Sequence, residues 1–112
     1  AIQFGGGTEG NPNTRAEHID IRYNLVDHCG QNGITLFSAN NTKIQYNVVG
    51  RTGYDPNMGS WSSNINLYNM TGTSNLVDSN VAYQAVDVSS YRTDGNGLIL
   101  DRSALFGLQG GM

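Results

Sequence analysis

Three stretches of this chain repeat one six-residue pattern in phase. They are Ile21-Arg22-Tyr23-Asn24-Leu25-Val26, Ile44-Gln45-Tyr46-Asn47-Val48-Val49 and Val77-Asp78-Ser79-Asn80-Val81-Ala82. All read apolar-x-x-Asn-apolar-apolar. A second unit follows each: Gly33-Ile34-Thr35-Leu36, Asn64-Ile65-Asn66-Leu67 and Gly97-Leu98-Ile99-Leu100. The Asn-to-Gly/Asn gap is 9 residues in the first repeat and 17 in the other two, so the repeats are 23 and 33 residues long. A repeat of this size is one supersecondary unit that buries its apolar side only against its neighbours.

Alternation over three to five residues signals short strands with one buried face. No stretch sustains a 3.6-residue period. Gly (15) and Asn (14) make up about a quarter of the 112 residues, and both favour turns and left-handed backbone over helix interiors. The expectation is a strand-only solenoid with apolar positions stacked from coil to coil. Asn24, Asn47 and Asn80 then form an internal ladder, each amide bonding backbone and the next amide. Tyr23 and Tyr46, also in phase, make a stacked pair. The Leu-x-x-Leu-x-Leu spacing of a leucine-rich repeat is missing.

With a net charge of −3 and six scattered Lys/Arg, the chain has no basic stripe for nucleic acid. It has no apolar run of 18 residues, so no membrane-spanning helix is expected. The opening residues do not read as a signal peptide. Cys29 is the single cysteine. The sequons at Asn40 and Asn69 fit a secreted protein, but also the chance expectation for an Asn-rich chain.

The recurring Asn/Gly-Ile-x-Leu and Ile-x-x-Asn-x-Val units resemble the parallel β-helix repeat of pectate lyase-like proteins over residues 19–101. Asp94-Gly95-Asn96-Gly97-Leu98-Ile99-Leu100-Asp101 is similar to an Asp-Gly-Asn-Gly-Ile-Ile-Asp stretch of secreted β-helix proteins. The resemblance implies an all-β, right-handed, single-stranded parallel β-helix of about three to four coils. The expected layout is one partial domain: irregular entry at 1–15, coils at 16–101 and a truncated last coil at 102–112. Neither end carries a helical cap pattern, so further coils of a longer, monomeric, secreted or cell-surface parent are expected on both sides.

The core strands must keep register, so the eight extra residues of the longer repeats leave as loops. The short connection is 27–32, and the long ones are 50–63 and 83–96. Loops raised in phase on a rigid scaffold are where function concentrates. They carry Arg51, Tyr54, Asp55, Trp61, Asp87, Tyr91, Arg92 and Asp94. Arg51, Tyr54, Asp55, Trp61 and Tyr91 are candidate contacts to an acidic, uronate-type polysaccharide, since rings stack on sugars and Arg pairs bidentately with carboxylate. The family resemblance implies lyase chemistry by β-elimination. It makes Arg92 the candidate base and Asp87, Asp94 and Asp101 candidate Ca²⁺ ligands. No organic cofactor is expected. The Asp-Gly and Asn-Gly pairs are also plain turn signals, and Asp87 can cap a turn through its own backbone.

Tyr54-Asp55-Pro56-Asn57 is similar to the Tyr-x-x-Asp-Pro-His motif of mannuronan C5-epimerases. Asn57 stands where that family has His, and Asn is no acid or base near neutral pH. A glycoside hydrolase would need two carboxylic acids, which Asp87, Asp94 and Asp101 could supply. A non-catalytic β-helical adhesin is the reading outside enzymology. His18 and His28 read as surface or turn residues, because no metal-ligand spacing joins them or Cys29.

Overall fold

The computed structural model describes residues 1–5, 15–57, 62–89 and 95–101. Among them are ten strands and no helix. The strands are β1 (Ile2–Gly5), β2 (Ala16–Arg22), β3 (Leu25–Cys29), β4 (Ile34–Phe37), β5 (Ala39–Gln45), β6 (Val48–Thr52), β7 (Ser63–Tyr68), β8 (Asn75–Asp78), β9 (Val81–Ala85) and β10 (Asn96–Asp101). They form three parallel sheets ordered β1-β4-β7-β10, β2-β5-β8 and β3-β6-β9. Every third strand therefore pairs, and the chain visits the three sheets in rotation.

Register follows the repeat. Ile34 pairs with Ile65 and Ile65 with Leu98 in the first sheet. Ile21, Ile44 and Val77 align in the second, and Leu25, Val48 and Val81 in the third. Each strand turns alternate side chains inward, so the core is a set of aliphatic columns. Ile21, Ile34, Leu36, Ile44, Val49, Ile65 and Leu67 are all buried, and each aliphatic side chain buried this way is worth about 1.5–3 kcal/mol. Met70 closes the corner beside them and is also buried.

The corners rest on single left-handed residues. Among the described residues, ten non-glycine residues have φ between 48° and 60°, and they fall into coil-related sets. Tyr23, Tyr46 and Ser79 turn the second sheet into the third. Ser38 and Asn69 turn the first into the second. His28, Arg51 and Gln84 sit inside β3, β6 and β9, and His18 and Asn41 inside β2 and β5. There the ladder skips one residue and resumes, because each strand carries the same kink as its neighbour. A left-handed residue costs roughly 1–2 kcal/mol, which the core must offset.

The Asn ladder forms as the repeat predicts. Asn47 Oδ1 accepts from the backbone N and the Nδ2 of Asn24, both at 3.0 Å. Asn80 Oδ1 accepts from the same two groups of Asn47, at 3.0 and 2.9 Å. The spare amide hydrogens go to Ile21 O from Asn47 and to Ile44 O from Asn80. Tyr23 and Tyr46 stack with ring centroids 5.2 Å apart and planes 6° from parallel.

Two expectations need adjusting. The entry segment contains a strand: Ile2-Gln3-Phe4-Gly5 pairs with Ile34–Phe37. Its alternation is too short to recognise without the partner. The long connections are shorter than expected. Gly50–Thr52 belong to β6, Tyr83–Ala85 to β9, and Ser63 and Asn96 to β7 and β10, so the connections run from 53 to 62 and from 86 to 95, of which 53–57, 62, 86–89 and 95 are described. The left-handed residue in each third-sheet strand breaks the period-two pattern and conceals those last residues. Asn69 is buried and gives its Nδ2 to Ser38 Oγ at 3.0 Å, so the second sequon does not present its amide to solvent.

Candidate functional site

The outward side chains near the end of the third sheet form a polar cluster. Asp27 of β3, Gly50 of β6 and Tyr83 of β9 lie in one row. Arg51, next to Gly50, aims its guanidinium back at Asp27 as a two-pronged pair. Nε donates to Oδ1 at 2.8 Å and Nη2 to Oδ2. Gly50 has no side chain, and the Tyr83 ring lies over it. That brings the Tyr83 hydroxyl to Asp27 Oδ1, to which it donates at 3.3 Å.

The electrostatics follow from this contact. The Arg51 hydrogen bond, with smaller help from Tyr83 and His28, outweighs partial desolvation. It holds the Asp27 carboxyl at about 2, below its ordinary 3.8. The same bond pushes the Arg51 guanidinium up. Near neutral pH Asp27 is an anion and Arg51 a cation, each largely neutralising the other.

Beside the pair, His28 Nδ1 stands 3.9 Å from Asp27 Oδ2. The His28 ring meets Tyr54 at 6.5 Å between centroids and a 44° tilt. Tyr54 is on the first stretch of the 53–62 loop, which stacks on the preceding connection: Gly53 N donates to Cys29 O and Asp55 N to Gly30 O. The next long loop starts in the same way, with Val86 N on Thr52 O and Val88 N on Gly53 O. The loop bases therefore stack in phase. Asp55 accepts from Asn57 N at 2.9 Å, which makes the Asp-Pro step a side-chain-capped turn. An open groove of about 540 Å³ runs beneath, lined by Asp27, His28, Gln31, Asn32, Thr35 and Asp55 among others.

Of the residues singled out from sequence, Arg51, Tyr54 and Asp55 gather at this edge. Asp87 does not: it follows β9, and its carboxylate accepts from Ser89 N at 2.9 Å, a turn cap. Asp101 ends β10, in register with Tyr68. The Asp87 backbone lies beside Gly95, just before β10 begins, so Asp87 and Asp101 sit at opposite ends of that six-residue strand, about 17–20 Å along it. They do not converge on one ion. Among the described residues, no three His, Cys, Asp or Glu side chains converge. Trp61, Tyr91, Arg92 and Asp94 lie outside the described residues.

Asp27, Gln31, Asn32 and Tyr83 are site residues that sequence reasoning passes over, and His28 joins them although it reads there as a surface or turn residue. A signal for them exists. Asp27, Gly50 and Tyr83 each fall three residues after a ladder Asn, and His28, Arg51 and Gln84 four residues after it. Aligning the repeat past its apolar positions brings the cluster together. No family model, curated protein or solved structure matches the chain.

Proposed function

We propose that the chain is part of a right-handed parallel β-helix that binds polysaccharide, with the groove bounded by the start of β1, residues 27–32, Thr35 and Asp55 as the contact surface. The in-phase repeat, the rotation through three parallel sheets and the Asn ladder support the β-helix. Right-handedness follows from the strong preference of parallel crossover connections.

One observation carries the functional reading. Arg51, Tyr54 and Asp55 join Asp27 and His28 at one edge of a rigid sheet, above an open groove with amide and carboxylate walls. Carboxylates and amides accept and donate to sugar hydroxyls, and an exposed ring such as Tyr54 packs on a sugar's C–H face. Arg51 is already paired with Asp27. A uronate carboxylate would have to displace that carboxylate, whereas a neutral sugar need not. The reading is therefore binding through hydroxyl groups. Acidic-polysaccharide lyase chemistry with Arg92 as base, and Ca²⁺ on Asp87, Asp94 or Asp101, is a further step that the described cluster does not itself support.

Calorimetric titration with neutral and uronate oligosaccharides of matched length, with and without Ca²⁺, tests this. Binding of neutral chains, weakened by Tyr54→Ala and Asp55→Asn, is expected. Absence of binding to either class would overturn the proposal. A strict uronate preference that requires Arg51 would replace hydroxyl recognition with the acidic reading.

A further inference from the structure

The outer face of the third sheet carries a second surface, separate from the groove. Leu25, Val48 and Val81 point outward in one row, between inward-facing neighbours. They are 73%, 38% and 56% exposed. The stacked pair Tyr23 and Tyr46 flanks them at the corner, 76% and 47% exposed. These five side chains make one apolar patch spanning three strands. A whole aromatic side chain offers about 150–250 Å², so the patch exposes on the order of 500 Å², near the top of what a monomer leaves open.

We propose that this face is an interface between two copies of the chain. Three features single out a second copy. Two such patches together bury on the order of 1,000 Å², the lower bound for a specific interface. The rows recur at the strand spacing of about 4.8 Å, and a second copy has the same spacing, so ridges and grooves of two identical faces match in a face-to-face sheet packing. The face also has the anatomy of an interface. Its centre is apolar and its two edges are polar: the Asp27, Gly50 and Tyr83 row on one side, where Asp27 is paired with Arg51, and the Arg22, Gln45 and Asp78 row on the other. The tyrosine rings spend a face on each other, which suits them to a wall of apolar contacts better than to a sugar platform.

The proposal does not depend on sugar binding, because the Asp27 row separates the patch from the groove. Sedimentation velocity on the full chain, from about 1 µM to about 500 µM, spans the range in which so small an interface dissociates. A reversible monomer–dimer equilibrium is expected. Leu25→Asp and Val81→Asp, both at exposed positions, should each weaken it about tenfold or more. Their far-UV circular dichroism and thermal midpoints, measured alongside, should match the parent chain. A parent chain that stays monomeric across the range overturns the proposal. So does association that survives both substitutions in folded protein.

Discussion

Tyr83 reaches across Gly50 to donate its hydroxyl to Asp27 at 3.3 Å, joining residues 56 positions apart through a glycine between them. A methyl group at residue 50 would overlap the Tyr83 ring. The ring is the free end of a side chain and can swing aside. Gly50→Ala is therefore expected to leave the fold intact but release Tyr83, abolishing the contact to Asp27. Tyr83→Phe should reproduce its effect on stability. Chemical denaturation of both variants and the double variant checks this; additive losses would contradict it, since both remove one contact.

Gly53 makes a useful contrast. It has φ +81°, and a Cβ there would run into the backbone carbonyl of Val86. Backbone cannot swing aside, and a left-handed conformation penalises any side chain. Gly53→Ala should cost about 2 kcal/mol or more and exceed the cost of Gly50→Ala. Equal midpoints of urea unfolding for the two would show that the loop bases are not stacked as described.

The ladder predicts a graded series. Asn47 is 1% exposed and holds both neighbouring rungs and the carbonyl of Ile21. Asn47→Ala leaves several buried groups without partners and should cost about 3 kcal/mol. Asn24 is less buried and has a ladder neighbour on one side, at Asn47, so Asn24→Ala should cost clearly less. Thermal unfolding of the two variants orders them; the reverse order would argue against the ladder.

The Asp27–Arg51 pair gives a pH dependence. The folded carboxyl titrates at about 2, below its ordinary 3.8. A depressed carboxyl adds stability that is complete above pH 4 or so and is lost as pH falls through 2. Asp27→Asn should remove that share of the acid sensitivity. Urea midpoints of the two proteins should converge between about pH 4 and pH 2. Curves that stay parallel would mean that Asp27 is not held by Arg51 in solution.

Much of the fold was legible because one residue type had one job in each coil. Asn at the rung, Ile or Val three residues before it, and the Gly/Asn-apolar-x-apolar unit all keep their phase despite unequal loops. Burial and hydrogen bonding constrain those positions directly, so the pattern survives in sequence. The site was legible only in part. Arg51, Tyr54 and Asp55 stand out by chemistry, but Asp27 and Tyr83 matter only through Gly50, a residue whose contribution is an absence. Asp55 also looks like a sugar contact in sequence and Asp87 like a metal ligand, while their carboxylates cap turns two residues long. A local backbone contact of that kind has the same residue signature as a metal ligand. Asp101 joined Asp87 as a candidate ligand only through the family resemblance, which says nothing about the length of β10 between them.

The groove itself offers the most direct test. Amide-resolved NMR of the chain, titrated with a neutral oligosaccharide, should move signals of His28, Gln31, Asn32, Tyr54 and Asp55 together and saturably. Signals of Ile21, Ile44 and Asn69 in the core should stay in place. Saturable shifts confined to other parts of the surface, or none at millimolar sugar, would contradict the account.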